Sequence, residues 1–168
     1  MNKYLLPLTA IALCFCATQA MAANSPATGD AKAKIIAPLT ITQSENMNFG
    51  TMLSSSAHNV TLDHADGRTS TVNAMLVDDK ANAPKSGKFV IKNGGTSAVT
   101  ATISLPASTT VSANETSLTV DTFTSDFPTG SNNIPAGDTN LKVGATLHVT
   151  ANAPAGDYTG QYTVTINY

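Results

Sequence analysis

Residues Tyr158 to Tyr168 place the tightest constraint on the fold. Tyr158, Tyr162, Val164, Ile166 and Tyr168 share one parity, while Thr159, Gln161, Thr163, Thr165 and Asn167 share the other. Successive side chains of a strand point to opposite faces, so this spacing predicts a strand with an apolar and a polar face. It is entered through the turn Pro154-Ala155-Gly156-Asp157. A chain ending in such a strand is expected to tie its C-terminus into a sheet and to leave an edge that another segment can complete.

The same rhythm runs back through the chain. Ala31, Ala33, Ile35 and Ala37 alternate with Lys32, Lys34 and Ile36; after an interruption at Pro38, Leu39 and Ile41 alternate with Thr40 and Thr42. Pro38 places that break at a strand edge or at a crossing between sheets. Further strands are expected at Met47–Met52, Asn59–Asp63, Thr69–Val77, Lys88–Lys92, Val99–Leu105, Ser117–Phe127 and Leu141–Val149. Turns fall at His64-Ala65-Asp66-Gly67 and Asn93-Gly94-Gly95-Thr96, and Pro128–Ala136 is the most loop-like stretch. Short alternating strands with turn signals about every ten residues predict an all-β fold, an antiparallel β-sandwich with immunoglobulin-like crossing.

Met1 to Ala22 reads as an export signal: Lys3 leads, the apolar run Leu5–Ala17 follows, and Ala20-Met21-Ala22 is a small-x-small cleavage site. The apolar run is too short to span a bilayer, so a released protein in the periplasm, at the cell surface or outside the cell is expected. Both cysteines, Cys14 and Cys16, lie inside this run behind the large residues Leu13 and Phe15, which disfavours lipoprotein processing. Residues 23–168 then form one domain without a thiol, so neither a disulfide nor cysteine chemistry is open to it. Without Lys3 that domain carries eight basic against eleven acidic side chains and no basic patch, which excludes nucleic acid as a natural partner.

Catalytic constellations are missing from the sequence. It holds no Gly-x-Ser-x-Gly elbow, no His-Glu-x-x-His and no phosphate-cradling glycine loop, so the chain is read as a non-enzyme that takes no cofactor. His58, His64 and His148 are read as solvated sheet-face histidines in preference to a metal site. Asp63, Asp66, Asp78 and Asp79 lack a calcium-loop spacing and are expected to cap turn amides. The aromatic residues Phe49, Phe89, Phe123, Phe127, Tyr158 and Tyr162 fall mostly on apolar parities and are assigned to the core in preference to a sugar-stacking platform.

Three segments together resemble a known family. Pro38-Leu39-Thr40-Ile41, Met47-Asn48-Phe49-Gly50 and the ending from Ala155 to Tyr168 are similar to subunits of archaic chaperone–usher pili, the spore-coat-U-like group. They are similar also to a bacterial secreted family catalogued as domain-of-unknown-function family 4402. The pilin resemblance implies a sandwich that lacks its last strand. A periplasmic chaperone fills the groove first, and the N-terminal segment of a neighbouring copy replaces it at an outer-membrane usher. It makes Ala31, Ala33, Ile35, Leu39 and Ile41, within residues 23–41, the candidate donor strand. Tyr158, Tyr162, Val164, Ile166 and Tyr168 become the candidate acceptor edge. The resembling pilins often carry a cysteine where this chain has Pro38, so no staple is available here. Two alternatives stand beside the fibre subunit: residues 31–41 as the first strand of a complete sandwich, and a free-standing secreted binding module with its ligand site in the loop Pro128–Ala136.

Overall fold

The structure is a computed structural model that describes residues 25–168; the expected export signal, Met1 to Ala22, lies outside the described residues. Residues 25–34 carry no helix, strand or bridge, and their side chains are exposed. From Leu39 onward the chain forms β1 (Leu39–Glu45), β2 (His58–Leu62), β3 (Arg68–Ser70), β4 (Gly87–Asn93) and β5 (Val99–Ser104). There follow β6 (Ser108–Ala113), β7 (Thr116–Ser125), β8 (Ser131–Ile134), β9 (Gly137–Val149) and β10 (Thr165–Asn167). Helical geometry among the described residues is confined to single 3-10 turns at Asn73–Met75 and Lys80–Asn82. The fold is all-β and sandwich-like, with every strand pairing antiparallel.

The thirteen-residue β9 is the spine. Gly137–Val143 pairs with β4 and Ala145–Val149 with β2, so those two strands follow one another along one flank. β7 takes the opposite flank, pairing between Val143 and His148 across a bulge at Asp121–Thr124. β1 then adds to β4, β3 to β2 and β6 to β7, which completes a seven-stranded sheet; β10, β5 and β8 make a second sheet of three. The apolar parity of each strand turns inward. Leu39, Phe89, Ile91, Val99, Ala101, Ile134, Leu141, Val143 and Val164 fill the space between the sheets, and a second cluster around Val60, Leu118, Val120, Leu147 and Val149 fills the other end.

Several expectations are corrected by this arrangement. Pro128–Ala136 is not an open loop: Ser131–Ile134 pairs with β5, Ile134 is fully buried, and Asn132 is buried as well. The hairpin strand β6 is not predicted by alternation, because its Ser-Thr-Thr-Val-Ser-Ala run has too little apolar contrast to show a period. Met47–Met52 is no strand but two isolated bridges, Asn48 to Lys85 and Met52 to Leu76. Gly50, with φ of 77°, breaks any continuous ladder there. Arg68 holds this irregular stretch by donating to the carbonyls of Phe49, Thr51 and Val77 at 3.0, 3.1 and 2.9 Å.

Asp63 and Asp79 cap local turn amides as expected, Asp79 Oδ1 accepting from Ala81, whereas Asp66 reaches a distant amide. Asp63 Oδ1 accepts from the amides of Ala65 and Gly67, and Asp66 Oδ1 accepts from the Ser86 amide at 2.6 Å. The Ser86 bond holds the Asp66 carboxyl below its ordinary value. The Thr51 hydroxyl does the same for Asp79, His148 for Asp121, and the ammonium groups of Lys88 and Lys85 for Glu45. Each such carboxylate contributes stability that is present above its unfolded value near pH 4 and is lost as pH falls through the folded value. The urea midpoint is therefore expected to drop steeply below about pH 4, and Asp66→Asn to flatten that drop.

Candidate functional site

The closing segment changes sheets. At Thr159 its amide and carbonyl both bond to Ser112, at 3.2 and 2.8 Å, and the Thr109 hydroxyl donates to the Gln161 carbonyl at 2.6 Å. Gly160 lets this part lie against β6, since a Cβ there would collide with the Thr110 carbonyl oxygen. Five residues later the same segment is β10, paired with Thr102–Ser104 of β5. The polar-apolar alternation survives the crossing although the ladder does not. Val164 is buried, Tyr158, Tyr162 and Ile166 are half-buried, and Tyr168 is 55 % exposed.

Between the β6 contact and β10, Tyr162 drops into the sandwich. Its ring meets Phe89 edge-on, with centroids 5.8 Å apart at 81°, and lies 5.3 Å from Phe123. Its hydroxyl is buried above Gly87 and meets no protein hydrogen-bond partner, and burial pushes the phenol up to about 12. The sequence placed Tyr162 on the apolar parity but gave no sign of Gly87. A glycine signals only room, and the residue using that room is distant in the chain.

The candidate donor residues divide. Leu39 and Ile41 lie in β1, paired with Asn93 and Ile91, and pack into the same cluster as Val164 and Ile166. Ala31, Ala33 and Ile35 lie outside any strand and are exposed, Ile35 at 95 % and the adjacent Ile36 at 43 %. Ala37, next to Pro38, rests on the Gly94–Gly95 turn, where the chain begins to pack on its own sandwich. Among the described residues β1 pairs with β4 alone and β10 with β5 alone, and these two edge strands lie alongside one another without pairing. Each therefore presents one flank of unpaired backbone groups over a shared apolar cluster.

The other sequence candidates resolve as structure. His148 faces outward with ring nitrogens 2.9 Å from Asn59 Oδ1 and 2.8 Å from Asp121 Oδ1. His58, expected on a solvated face, is instead buried on the inward parity of β2, with Nδ1 2.9 Å from the Ser56 carbonyl. All six aromatic residues named above pack on one of the two apolar clusters. Among the described residues no group of three or more His, Cys, Asp or Glu side chains could hold a metal ion. Nor is any helix there long and apolar enough to cross a membrane.

A family model described as Domain of unknown function (DUF4402) matches residues 39–168. The chain belongs to this family. The DUF4402 match opens at Leu39, the first residue of β1, and takes in both edge strands, while Ala31, Ala33 and Ile35 precede it. No curated protein and no solved structure matches the chain.

Proposed function

We propose that this DUF4402 protein is an exported, non-catalytic structural subunit that assembles by strand donation. The observation that carries the reading is the pair of adjacent edges. Among the described residues β1 and β10 each lack a partner on one flank, and residues 31–36 ahead of β1 supply exposed apolar side chains that join no strand. An extended segment added along such an edge gains main-chain hydrogen bonds, and its alternate side chains enter the apolar cluster below. Burying Ile35 alone contributes about 1.5 to 3 kcal/mol. The donor narrows to Ala31, Ala33 and Ile35, because Leu39 and Ile41 already serve β1.

A contact of this kind is heterologous and does not close on itself, so repetition gives a fibre. The similarity to archaic chaperone–usher pilins supplies the remaining partners: neighbouring copies, a periplasmic chaperone that covers the edge before assembly, and an outer-membrane usher. The molecule would act in the periplasm and at the cell surface.

Size analysis of residues 23–168 tests the reading. A ladder of oligomers is expected, collapsing to monomer when residues 23–36 are deleted or when Ile35→Asn puts an amide into the apolar cluster. A solitary monomer that melts reversibly in two states, unchanged by either alteration, would show a complete sandwich and overturn it.

A further inference from the structure

Along the closing segment, half-buried Tyr162 carries its hydroxyl into the interior without a partner. A buried tyrosine hydroxyl ordinarily finds a hydrogen-bond partner, and forgoing one is costly. Here the hydroxyl faces Gly87 with no protein group to receive it among the described residues, and what favours the position is apolar packing, the ring meeting Phe89, Phe123 and the cluster around them. The backbone carrying it is lightly held: no ladder pairs Tyr162 to Val164, which lie between the Thr159 bridge and β10. The ring occupies the cluster to which Leu39 and Ile41 contribute from β1 and Val164 and Ile166 from the closing segment. That cluster is the inner wall of the proposed acceptor edge.

We propose that Tyr162 is a displaceable plug, filling in the solitary subunit the inter-sheet space that Ile35 of a second copy takes when its strand is added beside the closing segment. This rests on the strand-donation reading and adds a conformational step to it. Isoleucine suits the space because it brings apolar volume and strands no polar atom. Lys32 and Lys34, on the opposite parity, would point to solvent. The solitary subunit thereby avoids an open apolar cleft, and the orphaned hydroxyl keeps the plug easy to expel.

The test uses residues 23–168 carrying Ile35→Asn, so that the chain's own segment does not compete, and a fluorescent peptide of residues 27–38. Peptide uptake is followed by anisotropy, and tyrosine nitration by tetranitromethane is mapped by mass spectrometry. Tyr158, which packs on the other apolar cluster beside the Thr159 bridge to β6, serves as the internal control. Nitration of Tyr162 is expected to rise about tenfold on peptide uptake, as for a group closed in one state and open in the other. Tyr162→Ala is expected to take up peptide about tenfold faster, having lost its aromatic packing. Should that variant fail to fold, the nitration of Tyr162 decides alone. Uptake with Tyr162 as protected as before overturns the plug and leaves strand donation standing. Absence of uptake by both chains sinks strand donation, and the plug with it.

Discussion

Asn93→Ala is expected to destabilise the domain by about 3 kcal/mol, read as a lowered urea midpoint with an unchanged slope. Asn93 is 2 % exposed, and its carboxamide nitrogen lies 3.0 Å from the Ser97 carbonyl, 3.2 Å from that of Ile134 and 3.1 Å from that of Pro135. Its oxygen accepts from the Gly95 amide at 3.0 Å. One side chain thus closes the β4–β5 turn and ties the end of β4 to the end of β8, joining the two sheets. Alanine removes all of these bonds and takes the donor from the buried Ile134 carbonyl and from two part-buried ones, which costs more than the bonds themselves contribute. Asn93→Asp tests the cause. It keeps the Gly95 bond but turns an oxygen toward carbonyl oxygens. The folded state then favours the protonated acid, so the loss should grow as pH rises above about 4 and shrink in acid. A cost independent of pH would mean that volume and not polarity matters at this position.

Strand positions with strong contrast were legible. The Leu39-Thr40-Ile41, Lys88–Lys92, Val99–Leu105 and Leu141–Val149 alternations each correspond to an observed strand, because every second side chain there meets the core. What the sequence hid has physical reasons. β8 contains Asn132 and Asn133 and reads as a loop, yet Asn132 turns inward and donates to the carbonyls of Pro128 and Gly130, an internal pairing that no hydropathy pattern shows. The closing segment alternates through Tyr168, yet only Thr165–Asn167 joins a ladder, since alternation reports which face is buried and not which neighbour is bonded. Of the candidate site, the inward parity of Tyr162, Val164 and Ile166 was readable. The unpaired flanks of β1 and β10 depend on how distant strands meet, which a single segment does not encode.

A larger effect is expected at Gly144. It sits in the middle of β9, where pairing with β4 ends at Val143 and pairing with β2 begins at Ala145, while Thr124 of β7 lies across from it on the other flank. The chain leaving β2 turns away at Asp63 immediately beside it. A Cβ on Gly144 would collide with the Leu62 carbonyl oxygen and lie 2.8 Å from the Asp63 carbonyl carbon. These are backbone atoms held by the ladder of β2 and by the Asp63 turn, so they cannot yield as a flexible side chain would. Gly144→Ala is therefore expected to cost about 3 kcal/mol or more, at the upper end of overpacking, and to leave little folded protein in a circular-dichroism melt. Gly130→Ala, where the same added carbon meets nothing within 4 Å but φ is 103°, separates crowding from backbone strain. It should cost only about 1 to 2 kcal/mol, the price of a left-handed backbone for alanine. Equal losses at the two sites would remove the argument that β9 needs a bare backbone where its partners change.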